Sequence, residues 1–137
     1  MYEPIRTKSV HSMADASANF PHRSREEELD IQLAGHLAAL LAVTDELRAL
    51  APDAELDGAA EELASQVARL RGGLPPVRSA VVTAIHEPHL TSLHQRAHAL
   101  AGRALVVAAS RADTRAAILA AQRMESHAAA SHLVGAP

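Results

Sequence analysis

The chain has no cysteine and no tryptophan among its 137 residues. Without cysteine, disulfide bonds, thiolate zinc sites and cysteine nucleophiles are all excluded. The single tyrosine and the single phenylalanine are Tyr2 and Phe20, both near the N-terminus. The core must therefore be built from leucine, valine, isoleucine and a large share of alanine, the residue with the highest helix propensity.

Long apolar runs and basic clusters are also missing. The sequence has no stretch of about 18 apolar residues, so no membrane span and no membrane partner are expected. Arg6 and Lys8 are not followed by the apolar segment of a secretory signal, and we therefore expect a cytoplasmic protein. The formal net charge is −3 and Lys8 is the sole lysine, which argues against nucleic acid as a partner.

Two parts of the chain differ in their hydrophobic pattern. Residues 1–23 show no periodicity and contain Pro4 and Pro21, which predicts an N-terminal tail that is disordered or ordered only by a partner. Met13 offers a second start within this tail. Residues 24–134 have the length of one domain, and their helical periodicity predicts an all-α fold, an antiparallel four-helix bundle.

The first two predicted helices have the clearest patterns. The first spans 24–50, with a capping box formed by Ser24 and Glu27, and ends before Pro52. The second spans 53–71, and the short connection between them predicts an antiparallel hairpin. Apolar residues at alternating steps of three and four predict the buried faces. These are Leu33, Leu37, Leu40, Thr44 and Leu47 in the first helix, and Leu56, Ala60, Leu63, Val67, Leu70 and Leu74 in the second.

The third predicted helix follows Pro76 and continues to Ser110. We expect a kink or break near Pro88, because proline lacks the donor N–H and clashes with the preceding turn. The apolar residues on the two sides of Pro88 also point in directions about a third of a turn apart, so one straight helix cannot bury both sets.

The fourth predicted helix spans 113–132, with Asp113 as its N-cap. The segment between Ser110 and Asp113 contains neither glycine nor proline, so an uninterrupted helix from His89 to His132 is the alternative. The predicted apolar face of the fourth helix consists of Ala117, Ala121, Met124 and Ala128.

Charge is divided unevenly between the halves of the chain. Residues 24–67 hold eleven Asp and Glu against two Arg, whereas residues 68–137 hold eight Arg against three acidic residues. The simpler interpretation is that the two halves dock on each other within one chain. The alternative is that they exchange between the protomers of a dimer.

The nine histidines are the main candidates for chemistry. Histidine is the commonest metal ligand, and four of the nine lie within thirteen residues. His94 and His98 are four residues apart and can share one helix face. We therefore expect no cofactor, with a divalent transition metal bound by histidine as the alternative. Its candidate ligands are His86, His89, His94 and His98.

A hairpin about residue 112 would add a histidine from the last helix to this set. It would bring His98 level with His127, and His94 level with His132. The order of His36, His94 and His98 is similar to that of the ligands in metal-binding bundles of mycothiol- and bacillithiol-linked chemistry. Those bundles use one histidine followed later by a His-x-x-x-His pair. The similarity is confined to three residues, and no family is assigned from it.

Motifs of known enzyme classes are missing. The chain has no Gly-x-Ser-x-Gly, no phosphate-binding loop and no Gly-x-Gly-x-x-Gly, so no catalytic residue is assigned. Long amphipathic helices without an active-site motif favour a non-enzymatic interaction or regulatory protein that acts through a protein partner or as a homodimer. The alternative is a histidine-based bundle that binds a metal or a small ligand.

Overall fold

The computed structural model describes residues 23–78 and 90–135. These residues form four α-helices and no strand, which confirms the predicted all-α bundle. The predicted tail up to residue 22 and the predicted break near Pro88 lie outside the described residues. No helix in the described ranges is long and apolar enough to cross a membrane. The helices are α1 (Arg25–Leu50), α2 (Ala54–Leu70), α3 (Leu90–Arg111) and α4 (Thr114–Gly135).

The ends of α1 and α2 are set by local hydrogen bonds, as predicted. The Glu27 backbone N–H donates to Ser24 Oγ at 3.0 Å, and the Ser24 N–H donates to Glu27 Oε1 at 2.8 Å, which completes the capping box. Asp53 caps α2 in a similar way, because its Oδ1 accepts from the Glu55 N–H. After α2, Gly72 takes a left-handed φ of 72°, a conformation that glycine adopts without steric cost.

The boundary between α3 and α4 is a tight turn without glycine or proline. Ala112 has a φ of 60°, and the Asp113 N–H donates back to the Ala108 carbonyl at 2.9 Å. This pattern of bonds ends α3 as a Schellman motif. Asp113 Oδ1 then accepts from the Ala116 N–H, which makes Asp113 the N-cap of α4, as predicted. The two helices are therefore separate, and the alternative of one uninterrupted helix is wrong.

Ion pairs between the ends of the helices show in which direction each helix runs. Arg48 pairs with Asp57 between the end of α1 and the start of α2, and Arg111 pairs with Asp30 between the end of α3 and the start of α1. Hence α1 and α4 run in one direction, and α2 and α3 run in the other. The most extensive packing is between α3 and α4, followed by α1 with α3 and α1 with α2, whereas α2 and α4 touch only slightly.

This arrangement corrects the predicted start of the third helix. Val77 and Arg78 directly follow Pro76 but are not helical, and Val77 is 98% exposed. Since α2 and α3 run in the same direction, the chain must return along the bundle before α3 can begin. Arg78 marks that return, because its guanidinium bonds Asp45 near the C-terminal end of α1 at 2.8 and 3.0 Å.

The core has a leucine-rich part and an alanine-rich part. All five residues predicted for the buried face of α1 are fully buried, and Thr44 among them donates its hydroxyl to the Leu40 carbonyl at 2.8 Å. Leu70 is half-buried and Leu74 is exposed beyond the end of α2, whereas the rest of the predicted α2 face is buried. In α3 the fully buried residues are all small: Ala97, Ala101, Ala104 and Ala108.

The predicted apolar face of α4 is wrong. Ala121 and Ala128 are exposed, and Ala117 and Met124 are only half-buried. The buried face lies roughly 100° away around the helix. Alanine occurs on every side of α4, so the hydrophobic pattern does not single out one face, and two polar residues occupy the buried one. That face consists of Ala116, Leu119, Ala120, Arg123 and His127.

Candidate functional site

Two polar side chains of α4 are buried in the bundle. Arg123 is 3% exposed and His127 is 1% exposed, and both continue the face of Ala116 and Ala120. Buried charged and polar groups need partners, because the loss of hydration is costly. The surroundings of these two residues therefore define the candidate site.

Arg123 is paired with Glu55 of α2. Its Nη1 bonds Glu55 Oε2, and its Nη2 lies 3.4 Å from Glu55 Oε1. Ser126 donates its hydroxyl to the same carboxylate at 3.2 Å. Partial burial raises the pKa of Glu55, but the hydrogen bond and charge of Arg123 outweigh it, so that pKa lies below its usual value. The buried Nε of Arg123 has no hydrogen-bond partner among the described residues.

The chain of polar contacts continues from Arg123 to two histidines. Arg123 Nη2 lies 3.1 Å from His127 Nε2, and His127 Nδ1 lies 2.9 Å from His94 Nδ1 of α3. A guanidinium can only donate, so His127 Nε2 must accept and its proton must be on Nδ1. His127 then donates to His94 Nδ1, and the proton of His94 is on Nε2. The tautomers of both rings thus follow from the single donor at Arg123.

This arrangement favours the neutral form of both imidazoles. Burial first, and the positive charge of Arg123 second, lower the pKa of His127 to about 4. The pKa of His94 is also lowered, by its burial first and by Arg123 second. A proton added to His94 Nδ1 would face the N–H of His127. A proton added to His127 Nε2 would face the N–H of Arg123 and place a second positive charge beside the guanidinium.

The predicted metal ligands are only partly described. His86 and His89 lie outside the described residues, while His94 and His98 are both half-buried on α3. His94 rather than His98 meets His127, about one helical turn from the predicted pairing. The reason is that His94 continues the buried alanine face of α3, whereas His98 lies at its edge beside Met124. His132 is in α4, but its side chain is not described.

In the tautomers set by Arg123, neither His94 nor His127 has a lone pair free for a metal ion. Among the described side chains, which do not include that of His132, no three His, Asp or Glu are grouped as metal ligands. The four-histidine metal set nevertheless stays a prediction, because two of its members lie outside the described residues. The described part of the site is a proton-ordered chain from Glu55 to His94.

A groove between α2 and α4 adjoins this polar chain. Because the two helices touch only slightly, they leave an open space with a volume of about 580 Å³ at the end near Arg123 and Glu55. Carboxylates line this part of the groove. Its continuation toward the start of α4 is lined by the same Glu61 and Glu62 and by two apolar residues, Ile118 and Leu119, with Arg115 beside them. We call this surface the α2–α4 groove. It includes Ala59, Glu61, Glu62, Ile118, Leu119, Gln122 and Glu125.

Arg123, Glu55 and the α2–α4 groove were not predicted from the sequence. Arg123 does have a recognisable signal, because it lies four residues before His127 and seven after Ala116, on one helix face. Its partner Glu55 is 68 residues away in the sequence, and no local pattern connects them. Comparison with known proteins assigns no role to these residues: no family model matches the chain, and neither the curated proteins nor the solved structures include a match.

Proposed function

We propose that the protein is a non-enzymatic helical binding module that holds a basic amphipathic helix of a protein partner in the α2–α4 groove. The observation that carries the proposal is the slight packing between α2 and α4, which meet mainly through the ion pairs Glu55–Arg123 and Arg69–Asp113. Three of the four neighbouring helix pairs pack closely, but α2 and α4 do not. A helix laid between them would complete the packing by the helix-in-groove mode of recognition.

The chemistry of the groove indicates the kind of helix it would accept. Ile118 is 54% exposed, while Leu119 and Ala59 are buried at its floor, so the occupant needs an apolar face. Glu61, Glu62 and Glu125 line the groove and make no ion pair among the described residues, so these carboxylates outnumber Arg115, which lines it too. Unpaired carboxylates at the rim favour a positively charged partner, and such charges mainly determine partner choice and association rate.

Binding of a synthetic helix tests the proposal. The probe is a fluorescently labelled peptide with leucine at positions i, i+3 and i+7 and lysine elsewhere, and the measurement is fluorescence anisotropy. We expect saturable binding that weakens with salt, because exposed charges are screened. Glu61→Gln/Glu62→Gln should lower the affinity about fivefold, as expected for the loss of two rim charges.

A matched control removes two carboxylates elsewhere. Glu26 and Glu46 are exposed on α1, away from the groove, and Glu26→Gln/Glu46→Gln should bind the peptide as the wild type does. Ile118→Asp should abolish binding, since it places a charge on the apolar part of the groove. The absence of binding to the wild type, or equal loss in the groove variant and the control, would contradict the proposal.

The alternative is a bundle that binds a divalent transition metal through histidine. It is favoured by the meeting of His94 and His127, whose Nδ1 atoms lie 2.9 Å apart. It requires His127 to give up the hydrogen bond that its Nε2 accepts from Arg123, so that Nδ1 carries the lone pair. Elemental analysis of untagged protein separates the two functions. Metal at one equivalent that is lost in His94→Gln supports the alternative, and metal far below one equivalent excludes it.

A further inference from the structure

The charges of the two halves are only partly neutralised within the chain. In the described part of the chain, three ion pairs join the acidic half to the basic half: Asp30 with Arg111, Asp45 with Arg78, and Glu55 with Arg123. These pairs lie between the two halves, which also pack through the apolar core. The acidic residues that they leave over include Glu61, Glu62 and Glu125, which all face the α2–α4 groove.

Arg115 lies at the groove beside Glu61 and Glu62, but two other arginines that are left over are on a different surface. Arg96 and Arg103 are exposed on α3 and make no ion pair among the described residues. They alternate with small and apolar residues at steps of three and four, the spacing of one helix face. Val106 on this face is 66% exposed. We call this surface the α3 face, and it consists of Arg96, Ala99, Arg103, Val106 and Ser110.

We propose that a second copy of this chain occupies the α2–α4 groove with its α3 face. The α3 face has the properties that the groove requires, namely an exposed apolar side chain flanked by positive charges on one helix. Val106 would meet Ile118 of the other copy, and Arg96 and Arg103 would meet the carboxylates at the rim. This inference rests on the proposed function, because it names the helix that the groove binds.

The two surfaces are on different sides of one molecule. In the bundle α3 packs against α1 and α4, while the groove is bounded by α2 and α4, so one copy can donate its α3 face and accept another at the same time. Such a contact is heterologous, and it extends into a longer assembly unless rotation closes it into a ring. The mass of the wild type should therefore rise with concentration beyond that of a dimer.

Two charge-reversal variants test this assembly by light scattering after size exclusion. Glu61→Arg/Glu62→Arg reverses the charges of the groove and leaves the α3 face unchanged. Arg96→Glu/Arg103→Glu reverses the charges of the α3 face and leaves the groove unchanged. Each variant alone should associate at least roughly tenfold more weakly than the wild type, because like charges then face each other. In an equimolar mixture, opposite charges meet at both contacts, in the wild-type arrangement at one and in the reversed arrangement at the other. The mixture should therefore regain association beyond two chains, which neither variant shows alone.

The outcomes separate the inference from the proposed function. A wild type that stays monomeric at high micromolar concentration, while the groove still binds the leucine–lysine peptide, overturns the inference and leaves the proposed function standing. Association that either charge-reversal variant leaves unchanged also overturns it. All four substituted residues are exposed, and unchanged circular dichroism, with Glu46→Arg as a control, shows that lost association is not lost folding.

Discussion

The two hairpins of this bundle bring helices together in different ways. In the α1–α2 hairpin, large side chains such as Leu40 and Leu63 fill the space between the helices. In the α3–α4 hairpin the buried residues are mostly alanine, and α3 and α4 nevertheless pack more extensively than any other pair. Small side chains allow the backbones to approach, and the stabilisation then comes from many close contacts instead of a few large apolar groups. The comparison indicates that the first hairpin is sensitive to lost volume and the second to its polar residues and its turn.

Truncation in the leucine-rich hairpin should have the largest effect. Leu40→Ala removes a fully buried side chain and leaves a cavity, so the free energy of unfolding should fall by about 3–4 kcal/mol. Urea denaturation measures the change. Ile31→Ala is the control, since Ile31 is 48% exposed on the same helix and should lose well under about 1 kcal/mol. Equal losses at the two positions would contradict the contrast.

Acid should weaken the second hairpin through His127. Its pKa is about 4 in the folded protein against 6.5 when unfolded, so the unfolded chain binds a proton first as the pH falls. The stability is complete above pH 6.5 and should decrease by about 3 kcal/mol on the way down to pH 4. Denaturation at a series of pH values measures this slope. It should flatten in His127→Gln and persist in His36→Gln, which alters a histidine outside the cluster.

Replacing Glu55 should cost more stability than replacing its ion-pair partner Arg123. The Arg123 side chain is 4% exposed and that of Glu55 is 50% exposed. Glu55→Gln leaves a buried guanidinium without its counter-charge and should cost about 2 kcal/mol, less than for a fully buried pair because water reaches the site. Arg123→Met leaves a carboxylate that water can solvate, and should cost about 1 kcal/mol through the lost bond to His127. Urea denaturation measures both losses in the free energy of unfolding. A larger loss in Arg123→Met than in Glu55→Gln would show that the burial of the remaining partner does not determine the loss.

The turns that end α2 and α3 should respond in opposite directions. Both place a residue at positive φ, but α2 uses Gly72 and α3 uses Ala112, whose side chain is crowded in that conformation. Ala112→Gly should therefore stabilise the protein by about 0.5–1 kcal/mol, and Gly72→Ala should destabilise it by a similar amount. Thermal unfolding of both variants measures the change. A loss of stability in Ala112→Gly would mean that the alanine conformation carries no strain.

The same contrast explains what could be predicted from the sequence. The bounds and buried faces of α1 and α2 could be predicted because leucine stands out against polar neighbours and local caps mark the ends. The buried face of α4 could not be predicted, because alanine occurs on every side of this helix. The burial of Arg123 depends on its partner Glu55, which belongs to another helix. The predicted pairing of His98 with His127 was wrong by one helical turn, because His94 meets His127 instead. The position of the turn sets the approximate register of α3 and α4, but it does not fix the direction in which each ring points.

The order of the helices around the bundle has a consequence for how the chain could be divided. Each hairpin is closed by its own short turn, and the chain between Leu70 and Leu90 is the sole covalent link from one hairpin to the other. Asp30, Glu55 and their partners Arg111 and Arg123 face each other across that division. A cut in the link would leave two fragments with complementary surfaces. The link then acts as a tether that raises the effective concentration of one fragment for the other.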